Sequence, residues 1–409
     1  MLTLLLKIKR NILSLLYALG AVVLVSAMMI WPQQTYEGAR FGLNIWLTIL
    51  VPSLFPFFII AEILLNLGVV NFLGVLLEPV MRPLFNLPGT ASFVIAMGFT
   101  SGFPMGAVMT KRLCEEKCCT LAEGERLVAF TNNSSPLFIL VAVAVGMFNN
   151  PGLGLVLAVS HYTANIILGI ILGFLSPGTR VQSTGRGNIM LKSIRALLHV
   201  QRTRKPWGQL LGDSIRNSIN TMALIGGFVI IFAVIIKVLT VSMLIRYLTS
   251  ILTLPLKLVG FDPSAGLALA TGFFEMTLGL KESSLLASSI QEKAAVAGML
   301  LGWSGLSIQA QVTSILSGSG IRPYLYYWGR IFQSLLGGVL AYFLAATPLL
   351  LSQVSVPAFS WEVGQSNLVF TAFHHFTGAV HMLVFIFSAL FILSLIVMVW
   401  DLIRRLVFS

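Results

Sequence analysis

Apolar runs long enough to cross a lipid bilayer recur along this chain, and they constrain its fold more than any other feature. They lie at about 12–31, 43–67, 91–110, 127–147, 152–175, 214–236, 264–281, 294–316, 323–347 and 380–400. A hydrocarbon core about 30 Å thick takes roughly 20 residues of α-helix to span. Transmembrane strands would instead alternate in polarity over about 10 residues, and no such pattern is present. Charged residues make up 10% of the 409 positions, against about 25% in soluble domains. The fold class that follows is an all-α polytopic membrane protein without a soluble domain. The first run is longer than the roughly 7–15-residue core of a secretory signal and lacks a small-x-small cleavage site, so it reads as a membrane helix.

The net charge of +12 does not point to nucleic acid, because basic residues of membrane proteins gather in cytoplasmic loops. Arg180, Arg186, Lys192, Arg195, Arg202, Arg204 and Lys205 fall in 176–212 with no acid among them. That segment reads as cytoplasmic. Lys7, Lys9 and Arg10 place the N-terminus on the same side, and Arg404 and Arg405 the C-terminus. A full crossing by 91–110 would carry the seven-cation loop outside. Entry and exit on one side keeps every basic cluster inside, and Gly102, Pro104 and Gly106 in "GFTSGFPMGA" permit that reversal. By the same logic 264–281 is a second re-entrant hairpin, opening from outside. The scheme has about eight crossings, with 19 of the 26 Lys and Arg inside, six outside and Arg330 within the membrane.

The two hairpins align. Gly98-Phe99 matches Gly272-Phe273 at an offset of 174, and Leu84 matches Leu258 at the same offset. Proline-bearing amphipathic stretches precede each, "LLEPVMRPLFNLP" and "SILTLPLKLVGFDP", and a polar-interrupted helix follows each. The unit is helix, interfacial helix, re-entrant hairpin, broken helix, helix. Its odd number of crossings makes the second copy inverted, a recurring plan of secondary transporters. Expected boundaries are a membrane helix in 1–40, a first repeat at 41–175, a basic loop at 176–212, a second repeat at 213–350, and a loop with a last helix at 351–409.

The interruptions carry the candidate chemistry. "FTNNSSPLF" sets Asn132, Asn133, Ser134 and Ser135 inside an apolar run, and irregular backbone at membrane depth survives only against protein or a water-filled cavity. A broken helix offers a positive N-terminal end to anions and carbonyls to cations. Pro136 suits the restart, where no N–H is needed. The sequon matches at Asn132 and Asn133 are fortuitous at this depth, and Ser and Asn can also serve as interhelical glue. Thr100 and Ser101 lie at the first hairpin tip, Glu275 and Thr277 at the second. Ser304, Ser307, Gln309 and Gln311 line "GWSGLSIQAQ", where local unwinding would let both glutamines face one cavity. Glu275 could hold a coupling cation, carry a proton, accept from substrate, or pair with Arg330. His161 and Asn165 share a helix face and could complete the first-half site. Glu62 reads as a boundary residue reaching water, and His374, His375 and His381 as interfacial. Cys114, Cys118 and Cys119 lack a fourth ligand for a tetrahedral metal and read as reduced thiols. No cofactor, metal or catalytic set is expected.

"TSGFPMGA", "FTNNSSPLF", "NNPGLGLVLAVSHYTANI", "GFFEMTLG" and "GWSGLSIQAQVTSIL" together resemble the YlbJ, or SpoVV, family of sporulation integral membrane proteins, through about residues 1–350. The resemblance implies two nucleoside-recognition (Gate) domains, shared remotely with concentrative nucleoside transporters and ferrous-iron transporters. It implies a role in endospore formation in the membrane around the developing spore, with dipicolinic acid as cargo. The expected function is therefore a secondary transporter of a small organic anion, with H+ or Na+ as coupling ion and a homo-oligomer left open. A non-transporting envelope-assembly protein and a nucleoside transporter are the alternatives.

Overall fold

In a computed structural model, residues 15, 18–136, 138–176, 189–202, 206–258 and 260–347 are described, and they are helical wherever they are regular. The final segment, with His374, His375, His381 and the expected helix at 380–400, lies outside the described residues, as do Lys7, Lys9 and Arg10. Helix α1 (Ala18–Ile30) turns by 106° at a short break into the next helical run. That run is α2 (Pro32–Ile45), a π-helical turn (Trp46–Leu50) and α3 (Val51–Asn66). The apolar runs alone leave 32–42 between helices. It is helical because Pro32 starts the first turn and Gly38 and Gly42 let the backbone lie against α10 (Trp207–Val241).

Next come α4 (Val69–Phe85), the hairpin arms α5 (Ala91–Ser101) and α6 (Met105–Glu115), α7 (Leu121–Thr131), a π-helix (Phe138–Met147) and α8 (Pro151–Leu175). In the second half, α11 (Leu244–Leu258), arms α12 (Ala265–Phe274) and α13 (Met276–Ser284), α14 (Ile290–Trp303), α15 (Gly305–Leu316) and α16 (Tyr324–Ala345) follow α10. The basic segment 176–212 is not all loop: it contains the amphipathic helix α9 (Ile189–Arg202), packed on α4, and the start of α10. Local signals start the broken helices. Thr120 and Glu123 form a reciprocal capping box on α7, and Ser289 accepts the Glu292 N–H of α14 at 3.2 Å.

Among the described residues, α8 and α10 are long and apolar enough to cross a membrane, and the bent pair around Trp31 qualifies jointly. The distribution of side chains is that of a lipid-embedded chain. On α16, Leu335, Val339 and Phe343 are more than half exposed, whereas Tyr326, Arg330 and Gln333 are fully buried. Small residues Gly337, Gly338 and Ala341 bring α16 against α14. Glu62 does not reach water as expected: it is buried, with Oε2 2.6 Å from the Arg112 guanidinium of α6 and 3.4 Å from Asn217 Nδ2 of α10. The pair ties the first hairpin to α3, which carries Glu62, and the Asn217 contact adds α10. Cys114, Cys118 and Cys119 are free thiols, with the Cys114 and Cys119 sulfurs 2.9 Å apart in the α6–α7 connection.

Candidate functional site

Helix α7 ends at Thr131, so its last carbonyls have no intrahelical donors. Side chains of the polar run supply them. Asn132 Nδ2 donates back to the Val128 carbonyl at 3.0 Å, and Asn133 Nδ2 to that of Phe130 at 3.1 Å. Asn132 Oδ1 in turn accepts the Ala107 N–H at 3.0 Å, a first-turn donor of α6 shared with the Pro104 carbonyl. A single amide therefore closes one helix end and opens another. The chain leaves the helix extended at Asn132 and is irregular to Ser135, whose hydroxyl accepts the Phe138 N–H at 3.2 Å where the helix restarts.

Of the acceptors that remain at the α7 end, Arg330 of α16 takes two. Its guanidinium donates to Asn132 O at 2.8 Å and Ala129 O at 2.9 Å, and reaches Asn165 Oδ1 at 3.4 Å. Its face lies 5.3 Å from the ring of Tyr326, one turn earlier on the same helix. No carboxylate lies within ion-pair distance of Arg330 among the described residues, and its Nε has no partner. The expected option of a Glu275–Arg330 pair is not realised. Glu275 instead caps α13, accepting the Leu278 N–H at 2.8 Å.

His161 and Asn165 on α8 do join this centre. His161 Nε2 accepts the Ser134 N–H at 3.1 Å, and the Gln333 amide meets Nδ1 at 3.3 Å. The atom beside Nδ1 is Gln333 Nε2. A neutral ring accepting on Nε2 carries its proton on Nδ1, however, so turning the amide over, with its otherwise unpartnered oxygen to the ring, closes the network. Tyr162 donates its phenol to the Ser134 carbonyl at 2.8 Å. Gln333, Tyr326 and Tyr162 were missed in the sequence. Gln333 and Tyr326 were findable, because positions three after and four before Arg330 share its helix face.

Each hairpin tip abuts a break. Gly102 has φ 83° and lies so close to Ser135 that a Cβ would sit 2.8 Å from its nitrogen. Gly305, φ 78°, meets Glu275 and Met276 in the same way, a Cβ falling 2.9 Å from the Met276 nitrogen. Only glycine combines such a φ with that approach. The halves touch where the Ser134 hydroxyl points at Met276 Sδ, 3.8 Å away.

The remaining candidates divide. Ser101 is buried with an unpartnered hydroxyl at the first tip, but Thr100 is exposed and bonds back to Ala96 O at 2.8 Å. Thr277 is half-buried in the first turn of α13. The second break is a left-handed turn at Ser304–Gly305, and α15 then runs unbroken through Ser307, Gln309 and Gln311. No unwinding brings the two glutamines to one cavity. Gln309 Nε2 caps Trp303 O at the break at 3.0 Å, while Gln311 Nε2 turns to the Ser307 hydroxyl at 3.4 Å.

Lipid-facing helices around a polar centre of helix ends, with hairpin tips against two breaks, define a helical integral membrane protein. The nucleoside-recognition family Gate matches residues 47–178, spanning the first hairpin, the first break and α8. The sporulation integral membrane protein YlbJ of Bacillus subtilis (strain 168) is 39% identical over 331 residues, which cover 80% of this chain and 81% of that protein. An uncharacterized protein of Alkalihalophilus pseudofirmus is 29% identical over 133 residues, 31% of this chain and 27% of its own. No solved structure matches. The chain belongs to the YlbJ family of sporulation integral membrane proteins.

Proposed function

We propose that this protein is a secondary transporter of a small organic anion, acting during endospore formation in the membrane around the developing spore. In this reading, repeats 41–175 and 213–350 are inverted copies that alternate access to the centre, with about eight crossings and cytoplasmic termini. Several features support it. Both halves use the same neighbours: interfacial helix on first arm, arm on arm, second arm on the broken helix. Arms α5 and α6 have 11 residues each, about 16 Å of helix. That is half a hydrocarbon core and suits entry and exit on one side. Finally, α7 begins at the face where α15 ends, since Arg322 ahead of α16 pairs with Glu125 of α7 at 2.8 Å.

The observation that carries the reading is Arg330, a fully buried guanidinium with only neutral acceptors. Charge at low dielectric exerts a strong field, and an anion entering beside Ser101, Ser135 and the restarting helix end would be favoured by it. Dipicolinate, the cargo the family resemblance implies, is a small planar dianion of that kind. Glu275 is the group we assign to carrying a coupling proton, because a second fixed negative charge beside the anion would oppose binding. No catalytic role is assigned to any residue.

Purified protein in vesicles should take up labelled dipicolinate. Asn133→Ala and Arg330→Ala should insert yet lose most of that uptake, with Arg330→Lys retaining more than Arg330→Ala. Wild-type vesicles no better than empty ones, or full uptake in both alanine variants, would overturn the transporter. If the variants are silent while changes in 176–212 abolish sporulation, the assembly role holds instead.

A further inference from the structure

The carbonyl end of a broken membrane helix is a natural cradle for a small cation, since its last C=O groups point together without donors. At the end of α7 four of the carbonyls are occupied, while the buried Asn133 Oδ1 beside them has no partner. Val128 O and Phe130 O take the amides of Asn132 and Asn133, and Ala129 O and Asn132 O both take the guanidinium of Arg330. The occupant is a permanent cation: arginine stays protonated in proteins. It arrives from α16 in the other half of the chain and is fully buried. At the second break the last carbonyl, Trp303 O, takes neutral donors, the Ser304 hydroxyl at 2.6 Å and Gln309 Nε2 at 3.0 Å.

We infer that Arg330 is a tethered cation standing where a free coupling cation would otherwise bind, so that the Ala129 and Asn132 carbonyls of the first break take no sodium ion. The positive charge of this centre is thus fixed by the chain and independent of the external salt. The inference rests on the transport reading for its consequence, coupling that does not use sodium at these carbonyls, but its test needs no cargo. In chemical terms the guanidinium replaces the ion, and the two carbonyls that would have coordinated the ion keep their direction.

Thermal unfolding of the purified full-length protein in detergent tests this. Exchanging choline chloride for sodium chloride at equal ionic strength should leave the wild-type melting temperature unchanged. Arg330→Ala should melt several degrees lower and recover much of that loss, saturably, with millimolar methylguanidinium but not with tetramethylammonium. Arg330→Lys, which keeps a cation, should lie between the two and show little rescue. A saturable, sodium-specific rise in the wild type would overturn the inference. So would an Arg330→Ala protein that remains monodisperse yet gains nothing from methylguanidinium. Should Arg330→Ala fail to fold, Arg330→Met, which keeps most of the stem, is read for the same rescue, and the wild-type sodium comparison decides independently. A protein that moves no anion at all leaves each of these outcomes readable, so the two proposals fail separately.

Discussion

Asn132 is the residue on which the first break turns. Its amide caps the end of α7 through Val128 O and the start of α6 through the Ala107 N–H, while its carbonyl receives Arg330. Truncation to alanine leaves the buried Val128 carbonyl without the Asn132 amide, at about 1–3 kcal/mol, and leaves the Ala107 N–H on Pro104 O alone. Asn132→Ala should therefore lose about 1–3 kcal/mol, seen as a lower melting temperature in detergent. A change of a few tenths would remove the bridging role. The sequence marked Asn132 as polar in a lipid-depth run, which is a one-residue fact. What it bonds is a three-helix fact, since Ala107 and Arg330 reach it only once α6 and α16 have packed on α7. The same limit explains Thr100 and Ser101. Adjacent hydroxyls looked equivalent in the sequence, but one position of α5 faces inward and the next outward.

At the scale of elements, the breaks were legible and the regular helices around them less so. A proline after four polar residues, or glycine beside serine in an apolar run, leaves a helix no alternative that buries well. Helix α9 was hidden by its cations, although Met190, Ile194 and Leu197 recur at helical spacing in a stretch read by charge alone. Helix α2 was hidden because its formation depends on α10 lying against Gly38 and Gly42. The tip-to-break contacts make a sharper claim. A non-glycine residue held in the left-handed region costs about 1–2 kcal/mol, and at Gly102 and Gly305 an added Cβ would also meet backbone of the facing element. Gly102→Ala and Gly305→Ala should each insert normally and bind or move substrate markedly less well than wild type. Equal loss from Gly212→Ala, where a Cβ meets nothing, would show that the assay reports general glycine sensitivity rather than tip closure.

For the whole molecule, the decisive quantity is which turns share a membrane face. The α6–α7 connection and the α15–α16 connection meet: Arg322 pairs with Glu125, and a Cβ on Gly320 would sit 3.2 Å from Leu121. The exposed Arg322 side chain makes that pair worth little energy, about 0–1 kcal/mol, so its value is as a marker of position. From that face α7 and the π-helix lead away and α14 with α15 lead back, which places Asn149 and Ala287 at the far end of their runs. The native thiols of the α6–α7 connection already mark the first face. In a background with Cys114, Cys118 and Cys119 replaced by serine, Ser317→Cys should react with a membrane-impermeant maleimide only from the side that labels Cys118 in the native protein. Asn149→Cys and Ala287→Cys, both at exposed positions, should react only from the opposite side. In the topology we propose from the positive-inside count, the Ser317 side is the cytoplasm. Parallel repeats would require the 284–290 turn to share the face of the 116–120 turn, so labelling of Ala287→Cys from the Cys118 side would replace the inverted arrangement with a parallel one. It would also remove the alternation between opposed repeats that we propose as the means of changing access to Arg330.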